Sequence, residues 1–75
     1  MNYKNIFSDR LLDCRKSVGI SQKALANVLG VSDAAVTMME KGKRSPSFEV
    51  LIALADYFNV SLDYLVGRSD VKERR

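Results

Sequence analysis

The chain has 75 residues, a formal net charge of +3, no histidine and one cysteine, Cys14. That inventory excludes Cys/His zinc sites, intramolecular disulfides and any histidine-based catalytic triad. At this length one domain is expected, near the lower size at which a single core is self-sufficient, with no second unit for sensing a ligand or running a reaction.

No apolar run approaches the roughly 20 residues of a membrane span, and the N-terminal MNYKNIF lacks the apolar core of a signal peptide. A cytoplasmic location is therefore expected, with no enzyme activity, cofactor, metal, membrane or small-molecule ligand. The charge is unevenly spread. Residues 1–20 and 21–45 each carry four basic and two acidic side chains, residues 46–66 none and three, and residues 67–75 four and two. One positive face, of the kind that binds a polyanion, is the expectation.

In chain order, Phe7, Leu11, Cys14 and Val18 recur at i, i+4, i+7 and i+11, which predicts a helix over about Ile6 to Ser17 with those four on its buried face. Cys14 on that face reads as a small buried hydrophobe rather than a redox or dimer-forming thiol. Gly19 ends the helix, Ile20 packs as the chain turns, and Ser21 caps a second helix from Gln22 to about Leu29. Gly30 allows the positive φ of a tight turn. Ser32 then caps a third helix from about Asp33 to Glu40. Leu25, Leu29, Val31, Val36 and Met39 supply a shared inner face, and Ala26 lets the two helices approach closely. That is the pattern of a helix-turn-helix.

The stretch KGKRSPS follows, with Gly42 a second left-handed position and Pro46 barring helical continuation before it. Ser47 caps a fourth helix from Phe48 to about Phe58, whose core face is expected to be Phe48, Leu51, Leu54, Ala55 and Phe58, and Asn59 ends it. Ser61 caps a short fifth helix from Leu62 to Val66, stopped by Gly67. The expected architecture is an all-α bundle of five short helices over residues 1–67. The polar tail, residues 68–75, is expected to fray or to be a cut through a longer chain.

From about Arg10 to Gly67 the sequence resembles the phage-repressor and Cro type of helix-turn-helix transcriptional regulators, the xenobiotic-response-element family. GISQKALANVLGVS, EKGKRSPS and LADYFNVSLDYLVG carry the resemblance. It implies a lambda-repressor-like DNA-binding domain whose third helix enters the major groove of double-stranded DNA. It also implies a phosphate-contacting set of Gln22, Ser32, Lys41, Lys43, Arg44 and Ser45, and a salt bridge between Arg15 and Glu40 that joins helix one to the end of helix three. The base-reading positions correspond to Asp33, Ala34, Thr37 and Met38. Relatives commonly carry Arg, Gln, Asn, Lys or Ser there, whereas this helix offers one carboxylate, one hydroxyl and two apolar side chains.

Members of that family usually bind as twofold dimers on half-sites about 34 Å apart, so a homodimer is expected. Ile52, Tyr57, Val60 and Tyr64 are the apolar residues left for its surface once the core is assigned. The function expected is a sequence-specific repressor, with nothing beyond the reader to recruit polymerase. Two alternatives remain: an antitoxin-type regulator whose main partner is a protein, and a helix-turn-helix interaction module that binds no DNA.

Overall fold

The structure, a computed structural model, describes residues 2–74 and contains five helices. They are α1 (Tyr3–Val18), α2 (Gln22–Leu29), α3 (Asp33–Glu40), α4 (Phe48–Phe58) and α5 (Leu62–Val66). No strand occurs among the described residues. α1 packs against α3, α4 and α5, α2 against α3 and α4, and α4 against α5. Each helix places one fully buried side chain at the centre: Leu11, Leu25, Val36, Leu54 and Leu65. Burying each of these stabilises the fold by about 1.5–3 kcal/mol before the entropy of ordering it is subtracted. Ala26 is fully buried as well, where α2 meets its neighbours.

The helix starts share one device. Asn2, Ser21, Ser32, Ser47 and Ser61 each lie in extended backbone and accept a hydrogen bond from an amide N–H three residues on, which satisfies one of the orphan donors of the first turn. The cap at Asn2 explains why α1 begins at Tyr3 and not near Ile6. The apolar repeat starts at Ile6, but the cap lies a turn earlier, in a polar stretch that periodicity does not mark.

The helix ends share another. A residue of positive φ is followed by one whose N–H reaches the carbonyl five residues back. The pairs are Ile20 to Arg15 (3.4 Å), Val31 to Ala26 (3.0 Å), Lys43 to Met38 (2.9 Å), Val60 to Ala55 (3.1 Å) and Arg68 to Asp63 (2.8 Å). This is the Schellman arrangement. Its second residue folds back over the helix end, and where that residue is apolar it joins the core: Ile20 and Val31 pack against it, and Val60 lies inside it.

Four expectations are corrected. Val60 and Tyr64 are not surface residues available to a dimer: they are 6% and 9% exposed. Val60 is drawn in by the helix end just described. Tyr64 packs in the core with the Arg10 guanidinium 4.2 Å above its ring. Val18 is exposed, because the chain reverses at Gly19 and Ile20 packs against the core instead. Phe48 is 72% exposed. It lies two residues, or about 200°, from Val50 around the helix, and Val50, Leu54 and Ala55 form the buried face.

The tail is tied to the body rather than frayed over its described part. Arg10 Nη1 donates to the Tyr64 carbonyl (2.5 Å) and the Ser69 carbonyl (2.6 Å), and its Nη2 meets Asp70 Oδ1 at 2.9 Å. The Ser61 N–H donates to the Lys72 carbonyl at 2.9 Å, the Ser61 hydroxyl donates to the Val71 carbonyl, and Arg74 pairs with Asp56. Arg75 lies outside the described residues.

Candidate nucleic-acid interface

α2, the turn at Gly30 and α3 form a rigid angle with an exposed outer side. Gly30 has φ +69° and open space where a Cβ would stand, so glycine is required there for its backbone and not for room. Gln22 occupies the first turn of α2, directly after its cap Ser21.

A chain of hydrogen bonds holds this angle to α1. Arg15 Nε donates to Glu40 Oε2 at 2.6 Å, Arg15 Nη2 to Glu40 Oε1 at 3.2 Å, and Arg15 Nη1 to the Ile20 carbonyl at 2.9 Å. Gln22 Nε2 donates to Glu40 Oε1 at 2.7 Å, and Thr37 Oγ1 lies 3.1 Å from Gln22 Oε1. The Glu40 and Arg15 side chains are 5% and 15% exposed. A pair so withdrawn from water holds its geometry because every alternative leaves a charge unsatisfied. Through it, the end of α1, the start of α2 and the end of α3 are bonded to one another.

Of the expected base-reading residues, Asp33, Ala34 and Met38 are exposed on α3, while Thr37 is half-buried with its hydroxyl turned into the network. Ser32 accepts the Ala35 N–H at 3.1 Å as a cap, which leaves its own hydroxyl proton free to donate. Gln22 is half-buried, with one Nε2 hydrogen engaged by Glu40 and a second available. Lys41, Lys43, Arg44 and Ser45 are all exposed. Among the described residues the ion pairs are Arg10–Asp70, Arg15–Glu40 and Arg74–Asp56, so none of the three cations after α3 is paired there.

The loop carrying them is seated on α1. Gly42 has φ +73°, a conformation that selects glycine, and a Cβ there would stand 2.8 Å from Asn5 Oδ1, the tip of an exposed side chain. Lys23, absent from the expected set, is an exposed cation one residue after Gln22.

The structure thus brings Gln22, Thr37 and Glu40 into direct contact, with Ser32 at the head of α3 and Lys41 to Ser45 following its end. Ile52 and Tyr57 lie exposed on α4. The contact between Thr37 and Gln22 has no sequence signal, since it joins two helices 15 residues apart. The exposure of Phe48 does have one: its angular offset from Val50 and Leu54.

The helix-turn-helix family model, HTH_3, matches residues 11–65. An HTH-type transcriptional regulator of Bacillus subtilis, YqaE, is 40% identical over 68 residues, covering 89% of this chain and 59% of that protein. The chain spans between half and three fifths of the length of the first Bacillus relatives it matches. Among solved structures, the P22 c2 repressor in complex with a synthetic operator superposes with a TM-score of 0.80 at 33% identity, over 85% of this chain and 97% of that one. A transcriptional regulator from Listeria innocua gives 0.78 at 36%, over 81% and 57%.

Proposed function

The chain belongs to the helix-turn-helix family of transcriptional regulators, and from that premise we propose that it is a repressor that binds a twofold operator in double-stranded DNA as a homodimer, with α3 in the major groove. The observation that carries this reading is the network from Arg15 through Glu40 to Gln22. It fixes the head of α2 against α3 before any ligand arrives, beside a loop whose three cations have no ion-pair partner among the described residues. The repressor named among its structural relatives binds an operator with the same fold.

In this reading phosphates are met by the second Gln22 amide hydrogen, the Ser32 and Ser45 hydroxyls, and Lys41, Lys43 and Arg44. Such contacts set register and affinity without reading sequence. Base edges are met by Asp33, Ala34, Thr37 and Met38. Ala34, Met38 and the Thr37 methyl suit thymine methyl groups, and the Asp33 carboxylate suits a cytosine amino group.

With Val60 and Tyr64 in the core, Ile52 and Tyr57 on α4 remain for the dimer. Residues 2–67 form the reader, and residues 68–74 a strap tied to it through Arg10, Ser61 and Asp56.

A salt titration tests the proposal. Affinity for a duplex should fall linearly on a log–log plot, with a slope that counts the phosphates neutralised. No binding to any duplex at low salt would sink it and favour a protein-binding module or an antitoxin-type partner instead.

A further inference from the structure

Thr37 lies where a base reader is expected, yet its hydroxyl is turned toward α2. We propose that Thr37 is a positioning residue: its hydroxyl donates to Gln22 Oε1 and so aims the Gln22 carboxamide at a DNA phosphate, leaving only its methyl group for the bases. This rests on the DNA-binding reading above and assigns a task within that same surface.

The direction of every bond in the chain is forced from one end. Arg15 only donates, so Glu40, bonded to it twice, is the acceptor. Glu40 Oε1 lies 2.7 Å from the Gln22 nitrogen. Flipping the Gln22 amide would set its carbonyl oxygen against a carboxylate oxygen, so Nε2 faces Glu40. Gln22 Oε1 is then left facing α3, where Thr37 Oγ1 is 3.1 Å away and, as a hydroxyl, can donate. With both ends of the carboxamide held, its second Nε2 hydrogen has one direction left.

The competing acceptor is the Asp33 carbonyl, also 3.1 Å from Thr37 Oγ1. A helical threonine commonly bonds four residues back. The two acceptors make different predictions, because a hydroxyl given wholly to Asp33 has no coupling to Gln22.

The test uses the full chain, with a selected operator duplex and a scrambled duplex of equal length, read by fluorescence anisotropy at several salt concentrations. The variants are Thr37→Val, which keeps the methyl and removes the hydroxyl, and Thr37→Ser, which does the reverse, each made also in a Gln22→Ala background. Thr37→Val should weaken binding to both duplexes by the same factor, about threefold to tenfold for one hydrogen bond. Thr37→Ser should hold scrambled-duplex affinity within about twofold, and Thr37→Val should add nothing once Gln22 is alanine.

A Thr37→Val variant that alters only the ratio of operator to scrambled affinity makes Thr37 a base reader and overturns the proposal, as does full additivity with Gln22→Ala. A native chain that binds neither duplex at low salt removes the DNA-binding reading itself, which is a different result from either of these.

Discussion

Replacing Glu40 with alanine is the severest single test of how this domain is held together. Glu40 accepts from Arg15 Nε, Arg15 Nη2 and Gln22 Nε2 at 2.6, 3.2 and 2.7 Å, in a site where its own side chain is 5% exposed. Removing the carboxylate leaves the Arg15 guanidinium charged, 15% exposed and bonded only to the Ile20 carbonyl. An uncompensated buried charge of this kind costs about 3–5 kcal/mol, against about 4–11 kcal/mol of total stability for a domain this size.

Urea unfolding followed by circular dichroism should therefore show Glu40→Ala losing roughly a quarter or more of its stability, with the slope of the transition unchanged. The double variant Arg15→Met with Glu40→Leu should recover much of the loss, since most of it is desolvation of the orphaned ion rather than attraction between the pair. A loss below about 1 kcal/mol for Glu40→Ala is what an exposed ion pair gives, and that result would refute the argument that burial makes this pair rigid.

Four further outcomes are expected. Val60→Ala should destabilise by about 1–3 kcal/mol in thermal or urea melts, whereas Ile52→Asp should leave the melt within about 0.5 kcal/mol and lower the sedimentation coefficient of any dimer. Lys43→Ala should weaken binding equally on all duplexes and reduce the salt slope by about one; a change in sequence preference would place Lys43 at a base edge. Burial pushes the Cys14 thiol pKa up, with Asp13 adding to this and Lys72 and Arg10 opposing it. The folded state therefore holds the thiol proton longer than the unfolded chain does. The stabilising contribution is complete below the ordinary thiol pKa of about 8.5 and is lost as pH rises above it. Iodoacetamide at pH 8 should label Cys14 only through unfolding, so labelling that is fast in native buffer and insensitive to urea would contradict its burial.

The fold was legible where the chain carries its own punctuation. Ser21, Ser32, Ser47 and Ser61 mark helix starts, Gly19, Gly30, Asn59 and Gly67 mark helix ends, and the spans between them agree with α2 to α5. What escaped were consequences of position around an axis and of distant contact. Val60 follows a left-handed residue, a local signal for burial that outranks its place outside any helix. Tyr64 reads as amphipathic until Arg10, 54 residues away, closes over its ring. The interface divides the same way. The cations after α3 are visible as residue types, but the engagement of Gln22 and Thr37 with each other depends on the angle between two helices, which no spacing rule encodes.

The helix-end arrangement bears on how the domain comes together in time. At all five ends the reversal is closed by bonds spanning no more than six residues, so each corner can form on its own before the helices meet. Proteins dominated by such local contacts fold in microseconds to milliseconds. The bonds from Arg10 to Tyr64 and Ser69 must instead close loops of 54 and 59 residues, with a correspondingly larger entropy of closure. The strap should then be the last piece to dock during folding and the first to open by fluctuation. Amide exchange at Ser61, whose N–H is held by Lys72, should run ahead of exchange in α1, and that difference would time the two events separately.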